Sequence, residues 1–252
     1  MAYVGFGGPA GEFASGAASS ANPNLAEHLV FMCASALFTG LTPGDCREIA
    51  ACARARTFAR DELLFIQGHP ARNLILLQSG SVKHTQLSSD GKEVLMWMSG
   101  SGDAINPQAE LPSCNHTCSA RAMEHCEALV WEYGQLQTLL AQYPQIRQNI
   151  SKILASRLLE LEERFREVAT EKVATRLALT LLRLVKRIGK PTYEGIQVSL
   201  SREELAQMTG TTLFTVSRLL TKWADKRFVT LRREAVVIAD PKRLKSVSNE
   251  EE

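Results

Sequence analysis

The sequence predicts an α+β chain in three parts: a small roll of short strands, one long amphipathic helix, and a compact unit of short helices closed by a strand hairpin. Three observations carry this expectation. Between residues 57 and 131, short apolar or alternating runs are broken by turn residues about every ten positions. After Pro144 the apolar period becomes helical, and residues 199–223 read as two short helices around a glycine turn.

Composition narrows the class. A chain of 252 residues can build two domains, each with its own core. With 45% hydrophobic and 22% charged residues, neither wholesale disorder nor a fibrous repeat is expected. No apolar run approaches the roughly 20 residues that cross a bilayer. Residues 1–23 lack the basic and apolar regions of a secretory signal, so a cytoplasmic location without membrane contact is expected. Six cysteines without a Cys-x-x-Cys pair then read as free thiols or metal ligands rather than disulfides. Charge is uneven. Residues 1–144 carry 8 basic against 13 acidic side chains, net −5, and residues 145–252 carry 21 against 14, net +7. The basic half is the candidate polyanion binder.

In chain order, residues 1–24 are rich in Gly, Ala and Ser and too poor in large apolar groups to offset the entropy of ordering, so a disordered tail is expected. A helix over 25–38 leads to Gly40, and Thr42-Pro43 starts a second that runs to about Ala55. Strands follow at 63–66, 74–77, 82–87 and 94–98, with Asp90-Gly91 as the strongest hairpin signal. This spacing predicts a small sandwich or barrel. Ile150, Leu154, Leu158, Leu161, Phe165 and Val168 then recur at spacings of three and four, a narrow seam that suits a partner helix and predicts a parallel dimer. A helix over 171–188 ends at Gly189.

The segment 199–223 is the most informative. Ser201 with Glu204 forms a capping box, Leu205 and Met208 supply a buried side, and Thr209-Gly210-Thr211 makes a tight turn. A second helix runs from about Thr212 to Lys226, with Val216, Leu219, Leu220 and Trp223 facing inward. Two short helices about such a turn match a DNA-binding helix-turn-helix. Its expected contacts are Ser201, Thr211, Thr212, Phe214, Thr215, Ser217, Arg218 and Lys222, with Arg218 able to pair a guanine edge and Lys222 a phosphate. Residues 229–238 read as a two-stranded wing that brings Arg232 and Arg233 to the backbone.

At this point the chain resembles the CRP/FNR superfamily, regulators that join a cyclic-nucleotide-binding-like β roll to a winged helix. The resemblance covers about residues 37–244 and rests on Leu37-Phe38-Thr39-Gly40-Leu41, Gly68, Gly80-Ser81-Val82-Lys83, Asp90-Gly91-Lys92-Glu93, Gly102-Asp103, the long helix, and Thr215-Val216-Ser217-Arg218-Leu219-Leu220. It implies a jelly-roll-like sensor domain over 25–143, a dimerisation helix over 144–169, a winged helix over 170–245 and a tail over 246–252. It also implies a homodimer on palindromic double-stranded DNA that answers a small signal and contacts RNA polymerase. Two departures stand out. Cyclic-AMP-binding members follow Gly-Asp with Phe-Gly-Glu-Leu and later an Arg-Ser/Thr pair; here Pro107 stands where the ribose-binding Glu would be, and 115–119 holds no arginine. Cyclic AMP is therefore not the expected effector. The recognition helix has Phe214 where the family commonly places a Glu. The clustered N-terminal cysteines of the oxygen-sensing iron–sulfur member are absent too.

The sensor chemistry stays open. Cys114, His116 and Cys118 lie within five residues of one another where the effector cassette falls, and could bind a metal, haem or an iron–sulfur cluster, or sense redox state. Were they on a strand, all three would share a face, with His125 and Cys126 as further ligands. The competing reading is plain packing, as for Cys33, Cys46, Cys52 and Cys126, and His84 reads as a surface residue of a strand. A roll without any ligand is a further alternative. A cupin-like metalloenzyme, the rival from another class, would need a His-x-His that the chain lacks, and with no P-loop or nucleophile triad an enzyme is not expected.

Overall fold

The computed structural model describes residues 25–244 apart from Asp90 and Pro112, so the expectations for both tails and for Asp90 lie outside the described residues. The chain begins with α1 (Leu25–Ala34) and a single 3₁₀ turn. Helix α2 (Pro43–Ala51) starts on a capping box between Thr42 and Asp45, with Pro43 in its first turn. It ends before the expected Ala55, because the chain goes extended into β1 (Arg54–Phe58).

Seven more strands complete the roll: β2 (Leu63–Phe65), β3 (Asn73–Ser79), β4 (Val82–Leu87), β5 (Glu93–Ser99), β6 (Ala104–Ile105), β7 (Ser119–Ala122) and β8 (Cys126–Glu132). They form two antiparallel four-stranded sheets, ordered β1-β8-β3-β6 and β2-β7-β4-β5. Strand β3 is buried on both faces, which is why it reads as a continuous apolar run. Ile75 and Leu77 point between the sheets with Phe58, Val82 and Val130. Leu74 and Leu76 point outward under a helical layer that includes Leu37, Ile49 and Ile146. Trp131 ties that layer down by donating its indole N–H to the Ile49 carbonyl at 2.9 Å.

Helix α3 (Tyr133–Gln142), which the sequence reading did not separate, precedes α4 (Pro144–Thr170), a rod of 27 residues. The carboxy-terminal unit holds α5 (Val173–Ile188), β9 (Lys190–Thr192), β10 (Gly195–Val198), α6 (Arg202–Thr209), α7 (Leu213–Asp225), β11 (Val229–Arg232) and β12 (Ala235–Ile238). Its four strands form one antiparallel sheet, β11-β12-β10-β9. The hairpin β9–β10 was not foreseen either.

The two units share a core. Leu95 and Met98 of β5 are buried against Leu177, Leu181, Leu205 and Leu220 of the carboxy-terminal helices. Polar contacts reinforce this docking: the Leu95 N–H donates to Gln207 Oε1 at 3.1 Å, and Lys83 Nζ lies 3.3 Å from Glu204 Oε1. Gly100 sits so tightly on the last turn of α5 that an added Cβ would overlap the Arg187 carbonyl oxygen. Backbone does not yield to such a clash, so Gly100→Ala is expected to loosen the seat of the winged unit and cost about 1–3 kcal/mol. Urea unfolding checks this; an unchanged midpoint and slope would mean that the two units do not touch there.

Candidate functional site

Helices α6 and α7 are set by their caps. Ser201 Oγ accepts from the Glu204 N–H at 3.1 Å, and the Glu204 carboxylate accepts from the Ser201 N–H at 2.9 Å. Gly210 closes α6 in the left-handed region, at φ 62°, where a side chain would be strained. Thr212 then caps α7, its Oγ1 accepting from the Thr215 N–H at 3.2 Å. Arg176 of α5 grips this turn from below, donating to the carbonyls of Thr209 at 3.1 Å and Glu171 at 3.0 Å. One guanidinium thereby joins the end of α4 to the turn between α6 and α7.

Val216, Leu219, Leu220 and Trp223 are buried on the inner face of α7, as the spacing predicts. Thr212, Phe214, Arg218 and Lys222 are exposed, while Thr211, Thr215 and Ser217 are half-buried at the rim. Phe214 is 75% exposed, too open for a core residue. Ser201 stands apart, since its hydroxyl is committed to the cap. In the wing, Arg233 is exposed at the turn, whereas Arg232 is held at 2.9 Å by Glu194 and at 3.0 Å by Gln197. A cation that the sequence reading missed, Arg202, places Nη1 3.5 Å from Ser217 Oγ and extends this basic face.

The expected sensor residues are less united. Cys114, His116 and Cys118 lie in the loop before β7 rather than on one strand, and among the described residues no three His, Cys, Asp or Glu side chains converge as a metal site. Cys114 is half-exposed and lines an outer cleft with Arg72 and Tyr133. His116 is buried and stacks flat on Phe65, with ring centres 3.8 Å apart. Cys118 is buried, its Sγ 3.8 Å from Nδ1 of His84. His84 is itself a correction to the surface reading: it is buried, stacked on Trp97 at 4.7 Å, with Nε2 3.0 Å from Ser99 Oγ. Arg157 of α4, also unforeseen, reaches the start of the cassette and donates to the Ala104 carbonyl.

Burial keeps these groups neutral. Loss of water, with Arg157 and Arg187 nearby, pulls the His84 imidazolium pKa down to about 3. Burial and His69 bring His116 to about 4, and burial raises the Cys118 thiol to about 11. The stretch from Ala104 to Cys118 holds no Arg or Lys of its own.

This fold and this pair of caps define a two-domain winged-helix protein. The chain belongs to the CRP/FNR superfamily: residues 55–143 match the cyclic nucleotide-binding domain and residues 175–247 the Crp-like helix-turn-helix domain. It is a transcriptional regulator of that family with a helix-turn-helix DNA-binding domain. Its relatives include the CRP-like cAMP-activated global transcriptional regulator of Mycobacterium tuberculosis, 27% identical over 82% of this chain and 94% of the relative. The cyclic AMP receptor protein of Thermus thermophilus is 26% identical over 85% and 97%. Among solved structures, the c-di-GMP-responsive regulator CLP of Xanthomonas campestris superposes with a TM-score of 0.66 at 26% identity, covering 79% of this chain and all of that one. No helix among the described residues is long and apolar enough to cross a membrane.

Free histidine titrates near 6.5, so between about pH 6.5 and pH 3 the unfolded chain takes up a proton that folded His84 refuses. Stability from this group is complete above about pH 6.5 and drains as pH falls, at up to ~1.4 kcal/mol per pH unit. Urea unfolding at pH 6 and pH 4.5 should therefore show a smaller pH dependence in His84→Gln than in the parent. Equal slopes would mean that His84 is protonated in the fold.

Proposed function

We propose that this regulator acts as a homodimer whose paired α7 helices read a palindromic DNA site. The observation that carries this is the stripe along α4: Leu158, Leu161, Phe165 and Val168 are each more than half exposed, at coiled-coil spacing. The stripe is shorter than the sequence reading had it. Ile150 is fully buried in its own chain and Leu154 packs partly on the same core, so neither stands open to a partner. Such a dimer would set its two recognition helices for half-sites roughly 34 Å apart.

Within each half-site, Arg218 pairs a guanine edge, Lys222 and Arg233 contact phosphates, and Phe214 meets a thymine methyl rather than accepting a hydrogen bond. Arg232 is the weaker candidate for a phosphate contact, since Glu194 already holds it. A cytoplasmic setting and contact with RNA polymerase accompany this reading.

The signal we infer is not cyclic AMP, despite the cAMP-linked names of several relatives. Supporting this, Pro107 opens a 3₁₀ turn in the cassette, and His116 lies stacked and neutral where the loop carries no arginine. Arg157, which meets the start of the cassette from outside it, is engaged with a carbonyl, and Arg72 lines the outer cleft beside Cys114. A metal, haem or redox signal through Cys114, His116 and Cys118 together has less support, because the three point to different surroundings.

Three outcomes follow. Leu158→Glu with Leu161→Glu should sediment as a monomer at micromolar concentration, and a persistent dimer would move the interface elsewhere. In selection from random DNA, Arg218→Ala should lose about 1–3 kcal/mol per half-site and relax one base, whereas Lys222→Ala should weaken all sequences alike and lower the salt slope by about one per contact. A uniform loss in Arg218→Ala would contradict the guanine assignment. Calorimetry with cyclic AMP should give no micromolar binding; a tight isotherm coupled to stronger DNA binding would overturn the effector reading.

A further inference from the structure

The geometry points to a buried two-ligand site for a soft monovalent cation of the copper(I) class, formed by Cys118 Sγ and His84 Nδ1. The two atoms are 3.8 Å apart, and both residues are almost wholly buried, at 3% and 1% exposure. Bonds to sulfur of about 2.3 Å and to imidazole nitrogen of about 2.0 Å, set in line, span about 4.3 Å. The pair, at 3.8 Å, would hold a cation between its two donors after opening by about half an ångström. Among the described residues two donors meet here, so four-ligand zinc chemistry is not served, whereas thiolate and imidazole suit a d¹⁰ monovalent ion.

Charge accounting selects the same class. Before uptake, the contact between Sγ and Nδ1 holds one proton, that of the thiol, while the imidazole keeps its own on Nε2. Uptake of M⁺ breaks the S–H bond, releases that proton to solvent and forms S–M and M–N bonds, so the net charge of the interior is unchanged. A divalent ion would leave an extra positive charge buried near Arg157, whose guanidinium bears on both groups. The imidazole is already prepared. Ser99 Oγ, 3.0 Å from Nε2, can accept the N–H there and leave Nδ1 as the lone-pair donor, while stacking on Trp97 fixes the ring plane. No redox step is involved, since the ion enters already monovalent.

The site does not depend on the DNA-binding reading, and its test is made without DNA. Anaerobic full-length protein carrying Cys33→Ser, Cys52→Ser and Cys114→Ser removes the exposed and half-exposed thiols. Titrated with copper(I) against bathocuproine disulfonate, it should retain one ion per chain. A further Cys118→Ser should abolish retention, and His84→Gln should weaken it by about 100-fold. X-ray absorption of the loaded protein, which needs neither of those last two variants to fold, should show one sulfur and one nitrogen neighbour. Failure to retain copper(I), retention after Cys118→Ser, or a sulfur-only shell would each overturn the site. Zinc(II) held with the same residue dependence would overturn the monovalent assignment.

Discussion

Helix α4 carries two stripes one residue out of step, and the fold turns on the inner one. Arg157, Glu160, Arg164 and Glu167 recur at spacings of three and four, and all four are spent inside the chain. Arg157 meets the Ala104 carbonyl of the roll, and Arg187 of α5 meets Glu160 at 3.0 Å. Arg164 donates to the carbonyls of Met96, at 2.6 Å, and Met208, at 3.4 Å. Glu167, buried, receives both arms of Arg183 at 2.6 and 2.8 Å. Buried pairs of this kind add little net stability against an apolar substitute, but they are costly to break and intolerant of rotation. The inner stripe therefore serves mainly to fix the helix about its own axis.

That rotation decides which residues are left outside. With the charged stripe turned inward, Leu158, Leu161, Phe165 and Val168 face solvent, available to a second helix. The same contacts seat the winged unit, since Arg183 and Arg187 both come from α5, and Arg176 on that helix holds the turn before α7.

Much of this was legible in the sequence because it rests on local signals. Turn residues mark the strands of the roll, and the Ser201–Glu204 box, Gly210 and the inward face of α7 all follow from spacing alone. What failed depended on partners distant in sequence. Ile150 continues the three-and-four spacing of the apolar seam, but it lies seven positions before Arg157 rather than before Leu158, on the inward side of α4, and the helical layer over β3 covers it. His84 sits in a strand that reads as half-polar, yet a bulge between His84 and Thr85 breaks the alternation and both side chains are buried. Cys114, His116 and Cys118 alternate as strand residues would. The chain there is a loop instead, and the partner of Cys118 comes from β4, 34 positions away. Arg157 was not singled out, because nothing local distinguishes a cation that reaches a carbonyl of the roll.

The role given to the inner stripe can be read from a charge exchange at its best-defined pair. Glu167→Arg, Arg183→Glu and the double exchange leave α7 and the apolar stripe untouched, and fluorescence anisotropy on a selected palindrome measures their DNA affinity at matched helicity. If the pair orients the winged unit, each single change should weaken binding by about tenfold or more, and the double exchange should recover most of that loss. Singles that bind like the parent, or a double that shows the sum of both losses, would mean that the winged unit is oriented by something other than the charged face of α4.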